Sequence, residues 1–536
     1  MRCTKHTKIS ARFFFLLAGI VFLCPPGLLA QYYLPLDRDH TNAYERALNS
    51  RFVNQHTAIK PYRDQQLEPL RDSITGYKIP GIRPTADSRK KNDSVASKPS
   101  KSDIGINGIL DLRGGFDAAG KSPLMEFAGG LRIDGNYTNK LAWDLRFAAG
   151  TSALSGYQDS MAKYMRVAPG WGDRAYMSDT GRYAWQHASG YVSWVPNKVF
   201  SFQAGRDKHF WGDGYRSLFL SDAGGAYPFL KINASIWKLQ YTSLYAMHTD
   251  MTDPLGVKNN FRSKFGTFHY ISWNATKRLN IGVFEAVVWQ GEDENRYRGF
   301  DPNYLNPLIF FRPVEYSLGS SDNAMLGFAF KLKAAKSLQF YGQLILDEFY
   351  LKEIKARNGW WANKQGGQVG FKGFNLFKVK NLDIQGEVNV VRPYTYAHGS
   401  VQQNYGHANV SLAHPQGANF AEAVGFLRYR KNRLLVEGKL LACRYGLDTA
   451  GLDYGHNIFV SYLQRPNEYG NTLFQGLQTD LVQAELRAAW LLYPPVNLKI
   501  EAALVMRTEE NVQWSDKNAW FWLGIRTGLF NDYRDF

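Results

Sequence analysis

The sequence predicts an all-β fold: a closed antiparallel transmembrane β-barrel of about 18 strands, preceded by a small N-terminal segment that is part helix and part linker. First, apolar and polar side chains alternate with a period of two from residue 104 onward, in segments of about 9–11 residues. Second, no apolar run beyond residue 30 approaches the roughly 20 residues of a transmembrane helix. Third, aromatic residues make up 15% of the chain and often stand at segment ends, as in the aromatic girdles of membrane barrels.

Residues 1–30 have the pattern of a secretory signal peptide. Four basic residues accompany the apolar run 13–23, which is too short to span a membrane comfortably. Ala30 is the expected cleavage point. A lipoprotein signal is the less favoured alternative, because Leu23 stands where a lipid-modified Cys24 needs a small residue before it.

The chain is basic and poor in cysteine. Its net charge of +17 falls to +13 without residues 1–30, because these hold four basic residues and no acidic one. An exported basic chain favours anionic glycans or lipopolysaccharide phosphates as partners, and it disfavours nucleic acid and nucleotides. Only Cys443 lies beyond residue 30, so we expect neither an intrachain disulfide nor a cysteine-based metal cluster.

Residues 31–81 form a predicted N-terminal periplasmic segment, which is partly helical. Thr41 is the expected N-cap of a helix over 41–52 (TNAYERALNSRF). The face that this helix would bury comprises Tyr44, Ala47, Leu48 and Phe52. Residues 82–103 are rich in Ser, Lys, Asp and Pro and hold no aromatic residue, which predicts a flexible linker.

The predicted barrel spans residues 104–536. In LAWDLRFA (141–148), Asp144 and Arg146 lie on the face opposite to the apolar side chains, and LDIQGEVNV (382–390) follows the same rule. A soluble β-sandwich also alternates, but its strands have about 5–6 residues and the segments here are longer. Full charges on the polar face favour a wet barrel lumen.

Aromatic residues and the chain end complete the expected barrel. Residues predicted to lie in the girdles are Trp185, Tyr191, Trp194, Trp289, Trp490, Tyr493, Trp520 and Trp522. The last alternating segment, WFWLGIRTGLFNDYRDF (520–536), ends on Phe536. It is expected to be the closing strand, with a terminal aromatic residue like that of bacterial outer-membrane barrels.

The stretch GFDAAGKS (115–122) matches the phosphate-loop pattern G-x-x-x-x-G-K-[ST] at every fixed position. That loop needs a helix after it. No helix is expected, because Pro123 follows and MEFAGGLRID (125–134) alternates as a strand. Asp117 would also put a negative charge inside the phosphate cradle. We therefore expect a hairpin turn and no nucleotide site.

Charged and aromatic residues are densest in GRDKHFWGDGYRSLFLSDAGGAYPFLKI (205–232), where five glycines permit sharp turns. This composition predicts a functional loop that folds into the lumen. Further polar clusters lie in YLNPLIFFRPVEYSLGSSDNAMLGF (304–328) and in LDEF (346–349).

The block GR…FWGDGYRSLFLSD, followed by NPLIFFRPVEYSLGSSDNAMLG and YGQLILDEF, resembles the Wzi family of outer-membrane capsule-assembly proteins. It is most similar to the RemB branch from gliding Bacteroidetes-type bacteria. The similarity covers about residues 199–350. It implies an eighteen-strand barrel with a small periplasmic helical part, and a lectin-like role in organising capsular polysaccharide at the cell surface. The N-terminal segment with its Ser/Lys linker is longer than in the family pattern, so the resemblance implies less about the periplasmic part than about the barrel.

The same block has the chemistry of a sugar-binding site, because aromatic rings offer flat apolar faces and basic side chains pair with uronate or phosphate groups. The predicted ligand-binding residues are Arg206, Lys208, Trp211, Asp213, Tyr215, Arg216 and Tyr227. An alternative is an internal salt-bridge network that plugs the lumen. Its further candidates are Asp207, Asp222, Glu315, Asp322, Asn323, Asp347 and Glu348. Both interpretations hold if the plug also presents the ligand.

Catalysis, a metal and a cofactor are not expected. The two sets that resemble catalytic groups are Asp207 and His209 with Ser217 or Ser221, and Asp347 and Glu348 with Glu315. The first lacks any nucleophile motif, and the second pairs strand neighbours that point to opposite faces. His398, His407 and His414 lack metal-ligand spacing.

The sequence therefore predicts a non-enzymatic protein of the cell outer membrane that binds or organises an anionic surface polysaccharide. Expected partners are the bacterial outer membrane, lipopolysaccharide, anionic polysaccharide and the barrel assembly machinery. One alternative is a gliding-motility or adhesion scaffold that acts through protein partners. Another is a diffusion channel.

Overall fold

The computed structural model describes residues 32–74, 102–120, 122–137, 140–178, 181–251, 261–292, 297–306, 322–348, 350–449 and 451–536. Within these ranges, eighteen antiparallel strands close into a barrel, which confirms the predicted fold class. None of the helices in the same ranges is long and apolar enough to cross a membrane.

The barrel strands follow one another in chain order. They are β1 (Ser102–Asp117), β2 (Ser122–Tyr137), β3 (Leu141–Ala153), β4 (Tyr183–Trp194), β5 (Phe200–Asp207), β6 (Tyr227–Ile236), β7 (Leu239–Asp250), β8 (Arg262–Trp273), β9 (Leu279–Gln290), β10 (Asn323–Ala335), β11 (Leu338–Leu346), β12 (Gln365–Gly373), β13 (Leu382–Val391), β14 (Phe420–Lys431), β15 (Leu434–Leu447), β16 (Leu477–Tyr493), β17 (Leu498–Glu510) and β18 (Ser515–Arg526). The α-helices in the described part of the chain are α1 (Arg38–Leu48), α2 (Asp64–Leu67), α3 (Gly156–Met165) and α4 (Leu351–Ala356). Short strands outside the main ladder are Ile59–Lys60, Ala175–Met177, Phe210–Trp211, Gly406–His407 and Val410–Ser411.

The barrel closes where β1 pairs with β18, from Asp111 opposite Arg526 to Asp117 opposite Trp520. Every other barrel strand pairs antiparallel with its neighbours in the chain. Closure leaves no open sheet edge, which lets the backbone hydrogen bonds of a β-structure be satisfied inside a lipid bilayer.

Side chains alternate between lumen and lipid, as the sequence predicts. On β3, Asp144 and Arg146 are buried inside, while Leu145 and Phe147 on the outer face are 38% and 52% exposed. Placing the charges on the inner face matters, because a charged residue on the lipid face of a barrel costs about 2–4 kcal/mol at the bilayer midplane.

The two ends of the barrel differ. Short turns at 237–238, 336–337 and 432–433 join strands at one end, here named the turn end. Long connections join strands at the other end, here named the loop end: 154–182, 208–226, 291–322, 347–364, 392–419 and 448–476. Outer-membrane barrels have short periplasmic turns and long extracellular loops. The turn end therefore faces the periplasm and the loop end faces the exterior.

The aromatic girdle is only partly where the sequence predicts it. Trp194, Trp490 and Tyr493 are exposed on the outer surface near the turn end, as expected. The prediction is wrong for three side chains that are buried in the interior: Trp185, Tyr191 and Trp520. It is also wrong for Trp522, whose ring lies over the buried Arg113 guanidinium. These four rings occupy inward positions of their strands, where they pack against residues that fill the lumen. Trp289 differs, because Phe284 and Val288 face the lumen and Trp289 lies on the opposite face of β9. Its ring is fully buried under Phe300 and Tyr304, so it does not lie in a lipid-facing girdle either.

GFDAAGKS forms the predicted hairpin. β1 ends at Asp117 and β2 begins at Ser122, so the turn lies at the loop end. The Asp117 carboxylate accepts hydrogen bonds from the backbone amides of Ala119 (3.0 Å) and Gly120 (3.2 Å), and from that of Gly156 (3.2 Å) at the start of α3. Amide groups that a phosphate would need are thus already bonded to a carboxylate.

The N-terminal segment, residues 32–74, packs inside the barrel. Its helix α1 begins at Arg38 and ends at Leu48, and Asp37 is the N-cap, accepting a hydrogen bond from the Asp39 amide at 3.0 Å. The prediction of a cap at Thr41 is wrong, since Asp37 offers a carboxylate one turn earlier. Phe52, expected on the buried face, lies beyond the helix and is 77% exposed.

The prediction that 520–536 is one closing strand is also wrong. β18 ends at Arg526, and the C-terminal tail (527–536) turns into the lumen, where Phe536 packs against the buried core. Phe521 and Leu523 face lipid, so a continued strand would place Asn531 and Asp535 on the same lipid face. Burying those polar groups in hydrocarbon is costly, which favours the inward turn.

Candidate functional site

The connection 208–226, here named the lumen loop, fills the centre of the barrel. Its Phe210–Trp211 strand pairs with Ile59–Lys60 of the N-terminal segment, with Trp211 opposite Ile59. The Trp211 side chain is fully buried. It packs edge-on against the wall rings of Phe268, Tyr270 and Phe284, at centroid distances of 6.3, 6.1 and 6.0 Å. The lumen therefore contains a hydrophobic core.

Arg216 forms a charged centre beside that core. Its guanidinium donates to both carboxylate oxygens of Glu422, at 3.1 and 3.0 Å, and pairs with Asp535 of the C-terminal tail at 3.0 Å. The backbone amides of Tyr215 and Arg216 donate to Glu387 at 2.7 and 3.0 Å. Strand wall, lumen loop and chain end are joined through one side chain.

Asp213 links the lumen loop to the N-terminal segment and the wall. Its carboxylate accepts a hydrogen bond from Thr57 at 2.6 Å and lies 3.4 Å from the Lys331 ammonium. Burial alone would raise the pKa of Asp213, but the Lys331 and Lys60 ammonium groups lower it to about 2. Burial lowers the pKa of Lys60 to about 8, against the attraction of Asp213. The carboxylate is therefore ionised at neutral pH and stabilises the buried cations.

The C-terminal tail makes a second set of polar contacts. Asp222 of the lumen loop accepts hydrogen bonds from Asn531 at 2.7 Å and from the Tyr533 hydroxyl at 2.6 Å. Arg534 donates to Glu126 on β2 at 2.7 Å. The tail thus bridges the lumen loop and the barrel wall.

Helix α1 supplies acidic residues that sequence reasoning missed. Asp39 accepts hydrogen bonds from Arg487 (3.0 Å) and Lys499 (2.6 Å) on the wall, and Glu45 pairs with Lys372 at 2.8 Å. The signal was present: basic residues on the inner face of a filled barrel need counter-ions. Nothing in the spacing of residues indicates that α1 provides them.

A small polar cavity of about 80 Å³ lies between α1, the C-terminal tail and the wall formed by β14–β18 and β1. Charged groups of both signs line it, among them Glu437, Lys439 and Glu485. Ligand pockets typically have volumes of about 300–1,000 Å³, so this cavity is much smaller than a usual ligand pocket. The cavity can hold water molecules but not a sugar chain.

Most of the predicted ligand-binding residues lie in this interior. Buried side chains among them are Lys208, Trp211, Asp213, Tyr215, Arg216 and Tyr227. Lys208 donates to the Trp171 carbonyl at 2.7 Å, and Tyr227 packs against His209 and His248. Arg206 differs, because its side chain is 41% exposed and lies 3.9 Å from Asp173. Sugar binding by the six buried residues stays a prediction. Arg206 is the member of the predicted set whose side chain is exposed to solvent.

The residues predicted for the lumen network form hydrogen bonds and ion pairs within the chain, wherever the structure describes them. Asp207 accepts from Arg146 at 3.2 Å, and Asp322 accepts from Arg298 at 2.8 Å. The remaining contacts are Asn323 to the Gln403 carbonyl at 2.9 Å, Asp347 to the Tyr396 amide at 2.8 Å, and Glu348 to Lys364 at 3.2 Å. Glu315 lies outside the described residues.

The side chains that resemble catalytic groups serve the interior packing. The Ser217 hydroxyl donates to the Trp211 carbonyl at 2.5 Å, Asp207 is paired with Arg146, and the His209 ring packs edge-on against Phe229 at 4.4 Å. Across the described part of the chain, no group of three His, Cys, Asp or Glu side chains is placed to hold a metal ion.

No protein-family model matches the chain, and no curated protein sequence matches it. Among solved structures, the chain is similar to Wzi of Escherichia coli, described as an outer-membrane protein involved in group 1 capsule assembly and as a carbohydrate-binding β-barrel. The TM-score is 0.55 at 14% identity, covering 92% of this chain and 99% of that chain. It is also similar to OpdK with vanillate and to OprD, both from Pseudomonas aeruginosa, at TM-scores of 0.44 and 0.43 and identities of 9% and 10%. These matches cover 79% and 80% of this chain and 97% and 95% of theirs. The likeness to Wzi shows a shared fold, and the closed barrel is that of a protein of the cell outer membrane.

Proposed function

We propose that this outer-membrane barrel binds and organises an anionic surface polysaccharide at its loop end, without catalysing a reaction. The observation that carries the proposal is the occupied lumen. The N-terminal segment, the lumen loop and the C-terminal tail fill it and are joined through Arg216, Asp213 and Asp222. A barrel filled in this way is better suited to binding a ligand at its loop end than to letting solutes diffuse through its centre.

Two further observations support the proposal. The net charge of +13 without residues 1–30 favours acidic partners over neutral ones. The fold resembles that of Wzi, which is described as carbohydrate-binding and involved in capsule assembly. Residues 199–350 resemble the RemB branch of the Wzi family, and this resemblance also supports the proposal. The alternative function is that of a scaffold for gliding or adhesion.

Export and assembly belong to the same proposal. Residues 1–30 direct secretion as a signal peptide. Residues 31–81 enter from the periplasmic end of the barrel, with 32–74 packed inside the lumen, and residues 82–103 link them to β1. The barrel assembly machinery inserts the chain, and lipopolysaccharide surrounds its outer half.

Deletion of the gene tests the function in the cell. We expect the deletion strain to lose retained surface polysaccharide, measured as cell-bound uronic acid, while its motility is unchanged. Complementation with the wild-type gene is the control. Normal retention together with lost motility would defeat the proposal in favour of the gliding scaffold.

A further inference from the structure

A second cavity, of about 480 Å³, lies at the loop end and falls within the usual range for ligand pockets. We name it the loop cavity. It is formed by α4 and the turn after it, by the start of β12, by Arg392 after β13, and by residues 470–473 of the connection 448–476. It is separate from the lumen contacts of Arg216 and Asp213.

The walls of the loop cavity are joined by backbone hydrogen bonds. The Gly470 amide donates to the Asn358 carbonyl, and the Asn471 amide donates to the Gly359 carbonyl, each at 2.9 Å. The Asn471 side chain also donates to the Gly359 carbonyl at 3.1 Å. Gly359 has a φ of 69°, a left-handed conformation that glycine adopts at little cost. A cavity held in this way is preorganised, so less ordering opposes ligand binding.

Arg392 is the unusual group in this cavity. It is half-buried, and its Nε donates to the Asn363 carbonyl at 2.8 Å. Among the described residues, no carboxylate forms an ion pair with it. Burial lowers its pKa, and no nearby anion opposes that shift. Arg216 and Arg487 in the lumen are by contrast each paired with carboxylates. A desolvated guanidinium without a counter-ion is a ready partner for an anion.

Other lining groups suit a sugar. Arg357, exposed at the C-terminus of α4, adds a second cation that has no ion pair within the described ranges. The side-chain amide of Gln365 makes no hydrogen bond inside the described structure, so it can bond a hydroxyl. The one acidic lining residue, Glu353, accepts a hydrogen bond from the Asn358 amide.

We propose that the loop cavity binds a carboxylate-bearing sugar residue of an acidic polysaccharide, with Arg392 pairing the carboxylate. Arg357 adds long-range attraction, and Gln365 and Asn363 contact hydroxyls. This inference rests on the proposed function and names the chemical class of glycan and the site that takes it.

The test uses purified full-length protein in detergent, with tetragalacturonate as probe and the neutral maltotetraose as matched sugar. Isothermal titration calorimetry measures the dissociation constant. We expect the wild type to bind tetragalacturonate and not maltotetraose. Arg392→Gln should raise the dissociation constant about tenfold or more, because the charge-assisted hydrogen bonds to the sugar carboxylate are lost. Arg357→Gln should raise it by a smaller factor, and Arg444→Gln, at an exposed loop-end site, should leave it unchanged.

Several outcomes would overturn the inference. One is wild-type binding of tetragalacturonate that Arg392→Gln and Arg357→Gln leave unaltered, which would place the sugar elsewhere and leave the proposed function standing. A second is no binding of tetragalacturonate by the wild type, with the polysaccharide-retention assay then judging the function separately. A third is displacement of the probe by inorganic phosphate but not by acetate, which would assign the cavity to phosphate groups. Heat-modifiable migration on gels checks that each variant is folded, and the exposed Arg357 keeps the test decisive if Arg392→Gln does not fold.

Discussion

At the scale of single residues, the interior depends on Arg216. Its buried guanidinium pairs with Glu422 of β14 and with Asp535 of the C-terminal tail. Removing one partner of a buried ion pair leaves an uncompensated charge, at a cost of about 3–5 kcal/mol. An exposed pair contributes only about 0–1 kcal/mol, because water already solvates both groups.

We therefore predict that Arg216→Ala lowers the free energy of unfolding by about 3–5 kcal/mol. The measurement is the urea midpoint at which the folded band is lost on unheated gels. Arg444→Ala is the matched control, because its pair with Asp480 is exposed. We expect that variant to change the free energy of unfolding by less than about 1 kcal/mol. Equal effects of the two substitutions would contradict the Arg216 assignment.

Asp453, in the connection 448–476, predicts a pH dependence. It is buried, and burial together with the neighbouring Asp448 carboxylate raises its pKa to about 7. The folded state therefore holds a proton that the unfolded state has released above about pH 4. The stability of this connection should fall as pH rises from about 4 through 7, by about 1.4 kcal/mol per unit within that window.

Hydrogen–deuterium exchange of 448–476, corrected for intrinsic rates, measures this effect. We expect faster exchange at pH 8 than at pH 5.5 in the wild type. Asp453→Asn, which resembles the protonated acid, should remove the difference. Asp480→Asn, at an exposed carboxylate, should keep it. A wild type with equal protection at both pH values would refute the shifted pKa.

At the scale of elements, the hairpin GFDAAGKS shows how context overrides a motif. Its fixed positions satisfy the phosphate-loop pattern, yet the chain before and after it forms the strands β1 and β2. Asp117 bonds the turn amides that phosphate would need. Lys121 lies outside the described residues.

We predict that the protein binds no nucleotide and that Lys121→Ala changes neither stability nor polysaccharide retention. Asp117→Ala should instead destabilise the turn and the start of α3, by about 1 kcal/mol, as expected for a lost cap. Fluorescent ATP analogues and urea midpoints are the measurements. Saturable nucleotide binding that Lys121→Ala abolishes would overturn the hairpin interpretation.

Two other elements show what alternation can and cannot predict. The inner and outer faces of β3 follow from the spacing of Asp144 and Leu145. The end of β18 does not follow from spacing, because the period of two runs on past Arg526. The signal that could have found the turn is Asn531 and Asp535, which a continued strand would place on the lipid face.

At the scale of the whole molecule, the occupied lumen predicts that the protein does not conduct. Three separate parts of the chain meet inside the barrel, and the cavity of about 80 Å³ between α1, the C-terminal tail and the wall is lined by charged groups of both signs. In planar bilayers, we expect the wild type to show no stable ion conductance.

Removal of residues 527–536 provides the contrast. Without the tail, Arg216 and Lys439 lose their contacts with Asp535, so the lumen loop should loosen. We expect conductance steps and a lower urea midpoint. Stable conductance of the wild type, equal to that of the truncated chain, would favour a diffusion channel instead.

The candidate site was predictable only in part. The density of charge and rings in 205–232 identified the lumen loop, because such residues rarely cluster without a binding or network role. The sequence does not predict which of these side chains are exposed to solvent, because Arg206 and Arg216 have the same chemistry and differ only in burial. The loop cavity joins residues far apart in sequence, Arg392 and Asn471 among them.

The sequence by itself determined the barrel, its strand number within narrow bounds and the face that each strand turns to lipid. Those properties are local, because alternation of neighbouring residues decides them. The tertiary structure decided that α1, the lumen loop and the C-terminal tail enter the lumen, and that Arg392 lies without a counter-ion in a cavity at the loop end. Those properties depend on which charged residues come together once the barrel has closed. The ion pairs of Asp39 with Lys499 and of Arg216 with Asp535 join residues far apart in the chain, so the periodicity of the sequence does not reveal them.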